Sequence, residues 1–279
     1  MDLIHADLLP WGGSLVPHRQ GTIAHKRLFE GCAGSPDNFS LTLAREQPDY
    51  FSPRHRHNWD QVRFCLRGSV PVGKALTLDA GEVGYFPEGV RYGPQEGGIE
   101  REVLVLQFGG ASGQGYMTPD QTLAGREALL LQGVFEGGVF KRPPGTGKQN
   151  QDAYEAIWQQ IFGQPMNYPK GLYKAPVIMR TPLFPWRSLS AWPGVREKAL
   201  GCFPARGLTL RFLALDPGAN LQLASSSCKH LVFVCEGQGK VNSQPYQTHT
   251  TIQCAPAEPL QFQAETRTEL FVIQLALLG

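Results

Sequence analysis

The feature that most constrains the fold is an internal repeat. The chain matches itself without gaps when it is shifted by 169 residues, and the matched pairs are turn and strand residues: Pro48 with Pro217, Phe64 with Phe233, Gly68 with Gly237 and Pro87 with Pro256. The apolar run at 103–106 falls on 272–275. One structural unit used twice explains such a match. The sequence therefore predicts two domains of the same architecture.

The composition indicates that each domain is built from short strands. The 279 residues include 32 glycines and 22 prolines, with 42% hydrophobic residues, which favours many turns over disorder. The predicted strands are apolar or alternating runs bounded by turn residues: Phe39–Ala44, Gln61–Leu66, Leu208–Leu215, Leu231–Cys235 and Leu270–Leu275.

Two helices are predicted between the two copies. The first has Thr118 as N-cap and Pro119 at its first position, and it continues through Leu123–Leu131 until Gly133. The second runs from Asp152 to Phe162 with helical periodicity and ends at Gly163.

The first copy contains a cluster of polar residues at strand spacing. His55 and His57 share one face of a strand, because side chains alternate with period 2. Gln61 falls on the same face if the strand is regular. Imidazole nitrogens with an oxygen donor suit divalent first-row metals. The spacing therefore predicts a metal pocket.

The spacing of these residues resembles the two motifs of the cupin superfamily, Gly-x5-His-x-His-x3/4-Glu-x6-Gly and Gly-x5-Pro-x-Gly-x2-His-x3-Asn. The segments are His55-x-His57-x3-Gln61-x6-Gly68 and Gly81-x5-Pro87-x-Gly89-x2-Tyr92. Gln61 stands in place of the family's Glu, and Tyr92 in place of its third His. The leading Gly and the terminal Asn are absent.

The resemblance implies an all-β bicupin, with two antiparallel β-barrels (double-stranded β-helices) and a helix-containing connector. The expected bounds are 1–112 for the first barrel, 113–182 for the connector and 183–279 for the second barrel. The second copy is degenerate, because the positions of His55, His57 and Gln61 are taken by Ala224, Ser226 and His230. We expect a single site, in the first barrel, and a core role for His230.

The resemblance also implies the roles of the site residues. His55 and His57 would hold the metal with help from Gln61 and Tyr92. Fe²⁺ is the leading candidate, and Zn²⁺, Mn²⁺, Ni²⁺ and Cu²⁺ are alternatives. Tyr92 could instead act as a proton donor. In the opposing interpretation, the histidines are polar pocket residues of a barrel that has lost its metal.

Other residues are predicted to meet the substrate. Arg63 shares the inward face with Gln61 and could grip a carboxylate in a bidentate manner, or it could pair with Glu82, Glu102 or Asp60, or lie in solvent. Trp59 and Tyr85 could line the pocket, although aromatic residues there usually pack in the core. The remaining histidines outside the second barrel's core (His5, His18, His25 and His249) have no metal-like spacing and are predicted to be surface or structural residues.

These features predict a metal-dependent enzyme that acts on a small carboxylate-bearing molecule, by dioxygenase-type oxidation or by isomerase or lyase chemistry. The alternative is a non-catalytic small-molecule-binding or sensory cupin without metal. A net charge of +2 argues against nucleic acid as a partner. No apolar run approaches a membrane span, and no signal peptide is visible. Six scattered cysteines indicate reduced thiols. We expect a cytoplasmic monomer or homodimer.

Overall fold

A computed structural model describes residues 1–13, 16–32, 35, 37–110, 112–113, 117–145, 148–205, 207–224 and 227–276. Ser226, the repeat counterpart of His57, lies outside these residues. The chain divides into two compact units, Trp11–Met179 and Met1–Pro10 with Arg180–Gly279. We call the barrel of the unit Trp11–Met179 the first barrel, and that of the other unit the second barrel.

The strands and helices follow one another along the described chain as β1 (Asp2–His5), β2 (Ile23–Glu30), β3 (Phe39–Glu46), β4 (Trp59–Arg67), β5 (Ser69–Gly73), β6 (Leu76–Asp79), β7 (Val83–Phe86), β8 (Arg101–Gly109), α1 (Pro119–Leu130), β9 (Val134–Glu136), β10 (Val139–Lys141), β11 (Asn150–Asp152), α2 (Ala153–Phe162), β12 (Val177–Met179), β13 (Arg187–Ser188), β14 (Val195–Phe203), β15 (Leu208–Leu215), β16 (Asn220–Leu223), β17 (Cys228–Glu236), β18 (Gly239–Val241), β19 (Gln244–Tyr246), β20 (Thr250–Cys254), β21 (Leu260–Ala264) and β22 (Thr268–Ala276). Short 3-10 helices cover Ala6–Leu8 and Thr181–Leu183.

The first barrel is built on a six-stranded sheet of order β12-β7-β4-β8-β3-β2, in which every pairing is antiparallel. A two-stranded sheet, β5-β6, and a three-stranded sheet, β11-β10-β9, complete the unit. The all-β fold predicted for the chain is confirmed. Strand β4 is hydrogen-bonded to β7 on one side and to β8 on the other, and its residues 59–65 are buried.

The second barrel has a seven-stranded sheet, β1-β20-β17-β22-β15-β14-β13, and a four-stranded sheet, β16-β21-β18-β19. Its interior is an apolar cluster that includes Leu213, Val232, Ile252 and Phe262. His230 is buried, and burial lowers its pKa. Aliphatic side chains therefore fill this barrel, in keeping with the loss of the histidine pair.

Both predicted helices are confirmed, because their ends are encoded by local chemistry. At α1 the Thr118 hydroxyl accepts a hydrogen bond from the Gln121 backbone N–H, and the Gln121 side chain accepts from the Thr118 backbone in return. At α2 the Asp152 carboxylate caps the first turn, and Gly163 ends the helix in the left-handed conformation at φ 64°.

The division of the chain differs from the predicted bounds at two places. Strand β1 pairs with β20, so the first ten residues join the second unit. The helical connector joins the first unit, because β12 pairs with β7 and the helices pack over Trp59. Both differences come from contacts between segments far apart in sequence. The 169-residue repeat shows which segments are equivalent, but it does not show which segments pair with each other.

Two bulk features complete the description. All six cysteines are free thiols. Within the described residues, no helix is long and apolar enough to cross a membrane.

Candidate functional site

The backbone brings His55 and Tyr92 together through an isolated antiparallel bridge. The N–H of each residue donates to the carbonyl of the other, at 3.0 and 2.9 Å. Strand β4 begins only at Trp59, so the regular strand predicted from His55 is interrupted. His57 lies in the intervening segment, and its ring centroid is still 4.8 Å from that of His55. The bridge, rather than strand alternation, positions His55 beside Tyr92.

Strand β4 supplies the other predicted residues. Every second residue of this strand faces the same side, and on that side a cavity inside the first barrel is lined by Trp59, Gln61 and Arg63. The register places Gln61 beside Gln107 and Arg63 beside Val105 of β8, and both of these neighbours line the same cavity. The period-2 prediction therefore holds from Trp59 onward.

The hydroxyl of Tyr92 is the centre of the polar cluster. It lies 3.1 Å from Nε2 of His55, 3.3 Å from Nδ1 of His57 and 3.4 Å from Oε1 of Gln61. Arg63 donates from Nη2 to this hydroxyl at 3.0 Å and from Nε to Gln61 Oε1 at 2.7 Å. The structure thus brings together the four predicted metal ligands and Arg63.

The proton positions within this cluster follow from the hydrogen bonds. His55 Nδ1 lies 2.6 Å from the carbonyl oxygen of Pro53, so Nδ1 carries the proton and Nε2 is the acceptor. Tyr92 can then donate to Nε2 while it accepts from Arg63. Burial lowers the pKa of both histidines, and the charge of Arg19 acts in the same direction at His55. The two imidazoles are therefore neutral.

Aromatic packing holds His57 and Tyr92. The His57 ring stacks on Trp59 with centroids 3.8 Å apart and an interplanar angle of 12°. The Tyr92 ring packs against Phe86 at 4.8 Å and belongs to an apolar cluster with Val70 and Val72. Burial raises the pKa of Tyr92, against the opposing effect of Arg63. The hydroxyl is thus a neutral phenol.

The first-barrel cavity has a volume of about 100 Å³. This is room for about three water molecules at the density of the liquid, or for a small organic molecule. Part of its wall comes from the connector, through Met117, Thr122 and Tyr154. No motif on β4 points to these residues, so their contribution could not be predicted from spacing.

Two histidines predicted to be surface or structural also line the cavity. His18 is 6% and His25 is 7% exposed, and burial lowers the pKa of both, to about 4 for His25. A signal for His25 exists in the sequence, because it lies two residues from buried Ile23 on β2. His18 precedes β2 and carries no such signal.

Charged residues around the cavity form two ion pairs, and Arg63 interacts with the Glu46 carboxylate only beyond ion-pair distance. Arg19 Nη1 lies 3.0 Å from Asp152 Oδ2, and Arg101 Nε lies 3.3 Å from Glu46 Oε2. Arg63 is 8% exposed and has no carboxylate within ion-pair distance in the described part of the chain. The three proposed salt-bridge partners of Arg63 are engaged elsewhere, as the contacts of Glu82, Glu102 and Asp60 show.

Several buried polar atoms of the cavity wall have no hydrogen-bond partner. Among the described residues the donors are Nε1 of Trp59 and Nε2 of Gln95, and the wall also holds Nδ1 of His18 and the acceptor Oε2 of Glu46 without hydrogen-bond partners. Buried polar atoms are almost always hydrogen-bonded in folded proteins. An indole N–H can only donate. The unpaired N–H groups of Trp59 and Gln95 therefore favour a ligand with acceptor oxygens on their side of the cavity.

Two predicted site residues, Tyr85 and Tyr92, do not line the cavity. Tyr92 still contacts the lining residues through its hydroxyl, whereas Tyr85 lies away from them. Tyr85 pairs with Val62 across β7 and β4 and donates from its hydroxyl to Asp60 Oδ2 at 3.1 Å. Residues directly opposite in an antiparallel pair share a face, so Tyr85 and Val62 lie behind the sheet. The next residue of β7, Phe86, is opposite Gln61 and shares its face. Which of these two aromatic residues lies on the face of Gln61 depends on the register, and the sequence does not reveal the register.

The donor set fits a metal ion only in part. The tautomer of His55 is fixed so that Nε2 has a free lone pair. The Tyr92 hydroxyl lies 3.1–3.4 Å from the ring nitrogens of the two histidines and from the Gln61 oxygen, and ligand atoms around one metal ion have such separations. However, the oxygens of Gln61 and Tyr92 both accept hydrogen bonds from Arg63. The described residues contain no group of three or more His, Cys, Asp or Glu side chains arranged for a metal. The four predicted ligands therefore do not fit a metal as they stand.

Neither the family models nor the curated proteins gave a match to the sequence. Solved structures do match. A candidate dioxygenase from Nostoc punctiforme is 14% identical, with a TM-score of 0.67 over 99% of this chain and 83% of its own. Oxalate decarboxylase from Lactobacillus farciminis, in complex with formate, is 11% identical, with a TM-score of 0.59 over 99% and 86%. Pirin from Escherichia coli, in complex with nickel(II), is 11% identical, with a TM-score of 0.55 over 99% of each chain.

These similarities confirm the fold predicted from motif spacing. The neighbours are cupin-fold proteins, and the alignments span nearly all of this chain, including both barrels. The chain therefore has the bicupin fold. At identities of 11–14% the similarity carries no activity over to this chain.

Proposed function

We propose that the first barrel binds a small organic molecule bearing a carboxylate, and that Arg63 receives the carboxylate. The observation that supports this is the charge count around the cavity. Arg19 and Arg101 each have a carboxylate partner, whereas Arg63 has none among the described residues. The nearest counter-charge, Glu46, is shared with Arg101 and lies beyond ion-pair distance of Arg63, so the buried cation is only partly compensated. A ligand carboxylate would complete the compensation.

The free donors of Arg63 suit this role. Its Nε and Nη2 atoms are occupied by Gln61 and Tyr92, while Nη1 has no hydrogen-bond partner in the described chain and the residue lines the cavity. The unpaired N–H groups of Trp59 and Gln95 line the same cavity and could donate to further ligand oxygens. Charge-assisted hydrogen bonds to a carboxylate are about twice as strong as neutral ones.

The second candidate is a metal-dependent oxidation of dioxygenase type at the same site. The observation in its favour is the pair of neutral histidines, with Nε2 of His55 presented by the hydrogen bond to Pro53. A bound divalent metal would supply Lewis-acid or oxygen chemistry there. This candidate requires Arg63 to give up its bonds to Gln61 and Tyr92.

Calorimetric titration tests the carboxylate proposal. Lactate, pyruvate and oxalate serve as probes, and their amides serve as neutral counterparts of the same size. We expect the wild type to bind at least one acid more tightly than its amide. Arg63→Met should weaken the acid by about 10- to 100-fold, since a hydrogen bond to a charged group contributes about 1.5–3 kcal/mol, and it should leave the amide nearly unchanged.

Arg67→Met is the matched control, because Arg67 is on the same strand with a side chain that is 56% exposed. It should bind the acids as the wild type does. Equal losses for acid and amide in Arg63→Met, or acids that bind no better than amides in the wild type, would reject the proposal.

A further inference from the structure

We infer that the guanidinium of Arg63 stands in the place of a metal ion in the first barrel and keeps divalent cations out of it. The motif spacing resembles that of a metal site, whereas the hydrogen bonds occupy the prospective ligand atoms. The exclusion of metal would hold for any organic ligand that the cavity takes.

The hydrogen bonds form a closed network over three of the four ligand positions. Arg63 donates to Gln61 Oε1 at 2.7 Å and to the Tyr92 hydroxyl at 3.0 Å, and one planar group thereby spans two oxygens that are 3.4 Å apart. The Tyr92 hydroxyl in turn lies 3.1 Å from the acceptor nitrogen of His55. A metal needs these same lone pairs at about 2.0–2.2 Å.

The charges of the site point the same way. Two neutral imidazoles, an amide and a phenol supply no negative charge, since Gln61 replaces the carboxylate that the spacing would suggest. A guanidinium stays protonated in proteins, so its charge cannot be removed to admit another cation. A divalent ion here would lie beside the Arg63 cation, and the nearby carboxylate of Glu46 already interacts with Arg63 and Arg101.

Packing fixes Arg63 in this position. Its guanidinium carbon lies 4.9 Å from the ring centroid of Phe86 and 5.2 Å from that of Tyr92, distances at which a cation is attracted to an aromatic ring. Gly84 lies directly opposite Arg63 on β7 and makes room for the Phe86 ring, because a Cβ at Gly84 would lie 2.7 Å from the Phe86 side chain. The arginine is therefore held from the apolar side as well as through its hydrogen bonds.

Metal content in a set of four proteins tests the inference. Wild type, Gln61→Glu, Arg63→Met and the double variant are each equilibrated with Zn²⁺ or Ni²⁺, dialysed and analysed by mass spectrometry for metal per chain. We expect the wild type and Gln61→Glu to hold less than about 0.1 equivalent, because in Gln61→Glu the new carboxylate pairs with Arg63. The double variant should hold about one ion, with two histidines and a carboxylate available.

Two controls make the result specific. Adding His55→Ala to the double variant should abolish its metal, and Arg67→Met should behave as the wild type. Circular dichroism checks that each variant is folded. Stoichiometric metal in the wild type or in Gln61→Glu, or a folded double variant without metal, would overturn the inference. Wild-type metal content needs no variant, and it is independent of the acid-binding result.

Discussion

Tyr92→Phe is the most direct test of the polar cluster. The substitution removes one oxygen and keeps the ring that packs on Phe86. Two hydrogen bonds of good length are lost, to His55 Nε2 at 3.1 Å and from the charged Arg63 at 3.0 Å. A neutral bond contributes about 1 kcal/mol and one to a charged group about 1.5–3 kcal/mol. We therefore expect a loss of unfolding free energy of about 2.5–4 kcal/mol.

The second barrel offers a matched control for this substitution. Tyr246 is 2% exposed, and its hydroxyl makes one neutral hydrogen bond, to Thr268 Oγ1 at 3.2 Å. Tyr246→Phe should cost about 1 kcal/mol. Urea denaturation of both variants, followed by circular dichroism, measures the difference. If Tyr92→Phe costs no more than Tyr246→Phe, the hydroxyl of Tyr92 is not the centre of a stabilising network. The hydrogen bond from Arg63 to this hydroxyl would then not stabilise the fold, and this result would refute the argument.

Two more predictions concern groups around the cavity. Asp152→Asn keeps the α2 cap but leaves buried Arg19 unpaired, so we expect a loss of about 3–5 kcal/mol. Glu136→Gln in the exposed pair with Lys141 should leave the unfolding free energy nearly unchanged, and equal losses for the two variants in urea would contradict this assignment. Burial lowers the pKa of His25 from 6.5 to about 4, so below pH 6.5 the unfolded chain binds more protons and stability falls until about pH 4. His25→Asn should reduce that fall by up to about 3 kcal/mol, and an unchanged pH profile of stability would argue against a buried neutral His25.

The parts of the fold that the sequence predicts well are those that short-range chemistry decides. Thr118 and Pro119 begin α1, and Asp152 and Gly163 bound α2, because caps act within one helical turn. Strand β15 is predicted to the residue at Leu208–Leu215. Alternation along β4 predicts that Gln61 and Arg63 share a face. The repeat predicts that this architecture occurs twice.

Other features depend on contacts between distant segments. Tyr85 lies behind the sheet because of its register with Val62, which is a property of the β7–β4 pair and not of either strand. The partners of Arg63 were not predictable for a related reason. Glu102 and Asp60 were plausible by charge, but the fold engages them with Arg45 and Tyr85.

The sequence by itself determined the bicupin architecture and the meeting of His55, His57, Gln61, Arg63 and Tyr92 in the first barrel, because turn residues, alternation and motif spacing are local patterns. Only the tertiary structure decided what these residues do to one another. Whether Gln61 and Tyr92 offer their oxygens to a metal or accept hydrogen bonds from Arg63 depends on distances of a few tenths of an ångström in a buried site. Those distances are set by the packing of β4 against β7 and by the His55–Tyr92 bridge.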